Sequence, residues 1–383
     1  MQEKLKILES LKAKREALEM EITKAHTTPV KSLTETKKQL QEISESVAFQ
    51  VDEKEELPDT LNISRDKSQT NLDFRGDLDL KLNHNNYAVE CIWNSHNIMV
   101  CVRNGFDIEN NGHILIKDVN SNQDSMIFNC NQQPTSISMT PNSGSCFVVG
   151  DSSGLVHLMD MRIPKGKVYE SSHTMKSQVS LINGLSFIND YRFMSMSPDG
   201  DLNLWEIRNN SLKNCEQIDL NEKFDNIGCP TSISGIKGGT IRIGCDNGDI
   251  VSFVGYDLSQ MVKSQHYSSS ITCIDTKEDG DNYVVSTLGG IVEVYHKTQK
   301  LKSYIDLKEA YVCCRWIPQT KSQFATFSSK NFISLIDLSL NSPILSSHKL
   351  KSPPICARFS DDGRLLLYGS LDSQIHLIET PLL

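Results

Sequence analysis

The first 86 residues contain no cysteine, tryptophan or tyrosine, and Gly76 is their only glycine. Phe49 and Phe74 are their only aromatics. A segment so poor in large apolar side chains cannot bury enough surface to offset the entropy of folding alone. Nowhere does the chain hold 18 consecutive apolar residues, so no transmembrane helix is expected. Its start, "MQEKLKILESLKAKREALEMEITKAH", is charged throughout and lacks an apolar signal-peptide core, which points to the cytosol or nucleus. The eleven cysteines fall between Cys91 and Cys356 without a CxxC pair. That spacing suits no zinc knuckle, and the adjacent Cys313 and Cys314 suit no ordinary disulfide. The thiols read as small buried apolar residues of a reducing compartment. Acidic residues outnumber basic ones, 48 to 39, which argues against binding to a phosphate backbone.

What is present divides into two regimes. Residues 1–28 are expected to form a helix of coiled-coil type, about 39 Å long over its first 26 residues. Leu8, Leu11, Leu18 and Ile22 share one stripe of that helix, interrupted by Arg15, and form a candidate partner surface. So short a helix needs a partner to persist; otherwise it is a solvated helix with a chance stripe. Pro29 closes it. A weaker stripe, Leu33, Leu40, Ile43 and Val47, suggests a second helix over 29–51. Residues 52–76, opening on the acidic run "VDEKEELPD", read as a disordered linker.

From residue 77 to 383 a pattern returns seven times: apolar strand, short break, apolar strand, tight polar turn, third strand. Clear copies are "TSISMTPNSGSCFVVGDSSGLVHLMDMR", "INGLSFINDYRFMSMSPDGDLNLWEIR" and "PPICARFSDDGRLLLYGSLDSQIHLIET". Gly112, Gly154, Gly200, Gly248 and Gly290 mark the turn before the third strand, at the period of propeller blades. The last two copies place Asn331 and Ser373 there. Third strands alternate apolar and polar residues, as half-buried strands do. "DLDLKLN", Asp77 to Asn83, alternates in the same way. Seven copies need one more strand to close a ring and remove the free sheet edges, and this segment stands just ahead of the first.

Motifs that carry chemistry are scarce. There is no P-loop, GxSxG or HExxH. Asp199-Gly200 in "SPDGDLN" is ordinary turn chemistry. "GDSSG" at 150–154 matches a serine-protease string but lies in the equivalent turn of another blade, without a catalytic framework. No catalytic, cofactor-binding or metal-binding residue is expected.

The repeats resemble the WD-repeat family. The Trp-Asp strand ending survives as Lys117-Asp118, Met159-Asp160, Trp205-Glu206, Ile336-Asp337 and Ile378-Glu379, and the Gly-His opening as His173, His266 and His348. The expected fold is an all-β seven-bladed WD-repeat propeller, preceded by the helical segment and the linker. Several blades, among them "NGHILIKDV", "HTMKSQVSLINGLS", "AYVCCRWIP" and "ICARFSDDGRLLLYGS", resemble those of cytoplasmic dynein intermediate chains. The chain departs from that family in its short linker and in lacking a long lysine- and glutamate-rich extension and a serine-rich tract.

The resemblance implies a non-catalytic scaffold for microtubule-based transport or nuclear and spindle positioning, located in the cytoplasm on the cytoskeleton, two copies per motor complex. Its propeller would bind the dynein heavy chain. Lys67, Ser68, Gln69 and Thr70 resemble the peptide that the dimeric hub light chain takes up as an added strand, although Asp66 stands where the motif usually has lysine. The stripe at Leu8, Leu11, Leu18 and Ile22 would meet the dynactin large subunit or a NudE-type regulator. No cofactor, nucleic acid or membrane insertion is implied. The alternative is a WD-repeat adaptor unrelated to dynein, of the vesicle-coat or ubiquitin-ligase kind. A propeller enzyme would need clustered acids and histidines at the axis.

Overall fold

The computed structural model describes Thr60–Asn62, residues 78–82 and most of residues 86–380, with short gaps in the loops. The helix expected over 1–28, the second helix over 29–51 and the peptide Lys67 to Thr70 lie outside the described residues.

The repeats fold as seven antiparallel sheets, the blades of a propeller. Blade 1 runs Asn86–Asn94, Asn97–Asn104, His113–Asp118 and Met126–Asn129, from the axis outward. The innermost strands of blades 2 to 7 are Pro134–Met139, Gly184–Phe187, Pro230–Ser234, Ile271–Thr276, Tyr311–Trp316 and Pro354–Phe359. Each packs beside the next, and that of blade 7 packs beside that of blade 1, so the ring closes. The second and third strands are largely buried on both faces, because each blade is covered by its two neighbours. Val, Ile and Phe fill the space between blades, as in Phe128 against Phe147 at 5.9 Å between blades 1 and 2.

Closure follows the expected route. Leu78–Lys81 pairs antiparallel with Gln374–Glu379 as the outermost strand of blade 7, in the register Leu78 to Leu377 through Lys81 to Gln374. The chain therefore latches its own last blade with a strand that precedes its first. Blade 5 holds a further strand. Thr60–Asn62, inside the stretch expected to be linker, pairs in parallel with Ser303–Ile305 on the outer edge of that blade. An outer strand has unpaired N–H and C=O groups, and a short extended segment satisfies some of them.

The turns before the third strands explain the spaced glycines. Gly154, Gly200, Gly248 and Gly290 have positive φ, and so do their replacements Asn331 and Ser373, at 65° and 61°. At Gly248 a Cβ would also stand 2.0 Å from the carbonyl oxygen of Tyr267. Gly112 is required by close approach instead, since a Cβ there would meet Val102 O at 2.6 Å. Serine in the left-handed region costs about 1–2 kcal/mol, whereas glycine loses about 0.5–1 kcal/mol more chain entropy on folding. Ser373→Gly is therefore expected to raise stability by about 0.5 kcal/mol. A denaturant midpoint that falls on this substitution would contradict the turn assignment.

Candidate functional site

Side chain-to-backbone hydrogen bonds stitch each blade to the next around the axis. Thr135 Oγ1 donates to Ile182 O, Asn183 Nδ2 to Pro230 O at 2.7 Å and Thr231 Oγ1 to Ile271 O at 2.6 Å. Nearer one mouth, Ser232 and Ser234 accept from the backbone N–H of Ile274 and Thr276, and Asp275 accepts from Trp316 N–H at 2.8 Å. Arg315 Nε donates to Ala357 O at 3.1 Å. Aligning the innermost strands shows the rule: "VECIW", "TSISM", "NGLSF", "TSISG", "TCIDT", "VCCRW" and "ICARF" each send their second and fourth residues toward the axis.

All of them except Ile92, which packs in the core, and Ser136, which is fully buried, line a central channel of about 760 Å³, to which all seven blades contribute. Its wall is uneven. Blades 2 to 4 present Ser138, Ser186, Ser232 and Ser234; blades 5 to 7 present Cys273, Cys313 and Cys356 in one layer and Asp275, Arg315 and Arg358 in another. Blade 1 adds Glu90. The charges are engaged with one another: Arg315 lies 3.6 Å from Asp275, and Arg358 lies 3.7 Å from both Asp275 and Glu90. Glu90 Oε2 also accepts from Ser136 Oγ at 2.7 Å and Ile137 N–H at 2.9 Å. Both carboxylates are thus fixed as blade-to-blade ties. Among the described residues no histidine lines the channel. Among the described residues no group of His, Cys, Asp and Glu is arranged to hold a metal ion.

The residues singled out by motif fall elsewhere. Gly150 to Gly154 form the expected turn. Ser153 Oγ donates to Asp151 Oδ1 at 2.7 Å, while His157 Nε2 meets Asp151 Oδ2 at 2.7 Å. The carboxylate thus stands between serine and histidine. A nucleophilic triad needs the imidazole in the middle, so Ser153 has no base here. Asp199 hydrogen-bonds Ser197 within its turn. His348 is on the outer strand of blade 6, Ile344–Lys349, and His173 and His266 lie outside the described residues. So do Lys67, Ser68, Gln69, Thr70, Leu8, Leu11, Leu18 and Ile22.

Blade 3 takes its tie from another residue. Gln178, buried, accepts from Ser195 Oγ at 2.7 Å, and Ser195 accepts from Trp205 Nε1 at 2.8 Å. The cysteines also divide. Cys91, Cys101 and Cys245 are buried as expected, but Cys215 and Cys229 are exposed, on an outer strand and in a loop where no neighbouring blade covers them. None of the eleven forms a disulfide.

The residual Trp-Asp endings hold the last turns. Asp337 is buried and accepts from Ser322 Oγ at 2.6 Å, Ser339 Oγ at 2.7 Å, Ser339 N–H at 2.9 Å and Gln323 Nε2 at 3.0 Å. Burial pushes its carboxyl up, but these four donors outweigh it and bring the group down to about 2. A carboxylate depressed in the folded state stabilises above its unfolded pKa, and that contribution disappears as pH falls through the folded value. The shift corresponds to about 2 kcal/mol, lost between about pH 4 and pH 2. Asp337→Asn should flatten the stability profile across that window; an unchanged acid limb in urea titrations would contradict the assignment.

No protein-family model matches the chain, and no curated protein matches it significantly.

Proposed function

We propose that this chain is a non-catalytic scaffold of the cytoplasmic dynein intermediate-chain type. The reading is carried by the latch: a strand from ahead of the first repeat closes the last blade, so the chain is fixed at Leu78 on the rim of blade 7. Such a layout suits a body that holds one partner on its blades and others on its arm. In this reading the propeller takes the heavy chain. Gln69, with Lys67, Ser68 and Thr70, is the centre of a hub light-chain peptide, and Leu8, Leu11, Leu18 and Ile22 face a dynactin or NudE-type coiled coil. A dimeric light chain would hold two copies and raise the effective concentration of every second contact. The blade resemblances, the position of the Gln-Thr peptide ahead of the latch, and an axis whose carboxylates are tied between blades support it.

Calorimetry of the full-length chain with the dimeric hub light chain tests the reading, beside Gln69→Ala and a co-purification with the heavy-chain tail. Binding that Gln69→Ala removes, together with heavy-chain capture, is the expected result. Failure of both partners would leave a WD-repeat adaptor outside the motor.

A further inference from the structure

We propose that Cys273 is a hydroperoxide-reactive thiol that is oxidised from the central channel and resolved by Cys314, giving a disulfide between blades 5 and 6. Both residues sit on neighbouring innermost strands, Ile271–Thr276 and Tyr311–Trp316. Cys273 Sγ is 3.4 Å from the carbonyl oxygen of Cys314, and Cys314 Sγ is 3.8 Å from that of Cys273. Each sulfur thus lies against the other residue's backbone, and the Cys314 thiol donates to the carbonyl oxygens of Cys273 and Val284 at 3.8 and 3.7 Å. Arg315 Nη1 stands 2.7 Å from Cys273 Sγ. Cys273, though only 3% exposed, lines the 760 Å³ channel.

The surroundings favour sulfur as an anion. The neighbouring Cys314 thiol and the charge of Arg315 outweigh burial and hold the Cys273 thiol below its ordinary value. Facing it are Arg315 and Cys314 from blade 6 and Asp275 on its own strand, whose charge opposes the anion but is shared by Arg315 and Arg358. Elsewhere burial acts in the other direction, with nearby carboxylates adding to it: Cys130, beside Asp151, and Cys245, beside Asp249 and Asp246, are pushed up to about 12. A thiolate beside a guanidinium, reached from a water-sized channel, is the environment of reactive cysteines.

In the first step the Cys273 thiolate attacks one peroxide oxygen, an S–O bond forms and the O–O bond breaks. Sulfur loses two electrons and the peroxide gains them. The leaving oxyanion, beside the Arg315 guanidinium, takes a proton from solvent and departs as water or alcohol. In the second, Cys314 sulfur attacks Cys273 sulfur. The S–S bond forms, the S–O bond breaks, and the hydroxyl leaves as water with the Cys314 proton.

The test uses the full-length chain with hydrogen peroxide, quenching by alkylation, and peptide mapping by mass spectrometry. The expected product is a Cys273–Cys314 disulfide, and in Cys314→Ser a dimedone-trapped sulfenic acid at Cys273. Between pH 7 and 8 the wild-type rate at Cys273 should change less than twofold. At exposed Cys229, whose thiol burial and Asp246 push up, it should rise about tenfold. This comparison needs no variant. Arg315→Lys, which keeps the charge, should retain more of the Cys273 rate than Arg315→Gln. Oxidation that begins at Cys229, a Cys273 rate that climbs tenfold per pH unit, or a disulfide to Cys313 in place of Cys314 would each overturn the proposal.

Discussion

A chain that begins at residue 83 should be less stable than one that begins at residue 77 by about 2–6 kcal/mol. The shorter chain lacks Leu78–Lys81, which pairs with Gln374–Glu379, and also Leu82, whose N–H bonds Ser373 O at 3.0 Å. Each net backbone hydrogen bond is worth about 0.5–1.5 kcal/mol, and about four are removed. Leu82 also packs against the core shared by blades 7 and 1. The loss leaves Gln374–Glu379, with Ile375 and Leu377 along it, as an open edge ready to pair with another chain. Thermal unfolding with size-exclusion chromatography reads both effects: a lower midpoint and higher-order species. Equal midpoints for the two chains would show that the ring holds without its latch. A chain beginning at residue 63, set beside one beginning at residue 60, separates the two outer strands, because the pair differs only in Thr60–Asn62 and should have nearly the same midpoint.

Trp205→Ala should cost about 3–5 kcal/mol. Trp205 is among the largest fully buried side chains, at 1% exposure, and stacks on Phe193 at a centroid distance of 6.4 Å. Removing the indole opens a cavity between blades 2 and 3, where Val148, Leu158, Leu185 and Phe187 pack, and strands the Ser195–Gln178 pair. Trp205→Phe isolates the polar part, since the ring mostly remains while the bond to Ser195 is lost; about 1–2 kcal/mol is expected. Ser195→Ala combined with Trp205→Phe should then cost less than the sum of the two, because both break the same bond. Strict additivity in denaturant unfolding would remove the Trp205–Ser195–Gln178 chain as an energetic unit.

The blade architecture was legible because its turns demand a backbone that few residues adopt. Gly154, Gly200, Gly248 and Gly290 sit at positive φ, and the replacements Asn331 and Ser373 follow them into the same region. The latch was legible because "DLDLKLN" alternates and because the resemblance to WD-repeat propellers implies a closing strand from ahead of the first repeat. Two features were not. Gln178 carries the blade 3 tie, and a glutamine in a loop has no signature that separates it from a solvated one; its burial arises from blades 2 and 3 closing over it. The channel wall is written in the sequence, but only across repeats. Cys273, Cys313 and Cys356 are irregular along the chain and equivalent once the seven innermost strands are aligned. Read one at a time they are small core residues. The strand Thr60–Asn62 was hidden for another reason: three residues show no period, and their pairing is supplied by the edge of blade 5.

That short strand also gives the rim an order of yielding. Tension applied ahead of residue 60 would reach the three pairs on blade 5 before the four on blade 7. If the former parted first, residues 63–77 could extend to at most about 50 Å at 3.3–3.6 Å per residue, while the ring stayed shut. The clip would thus act as a mechanical fuse, spending a small contact under load to spare the fastening on which the whole circle depends.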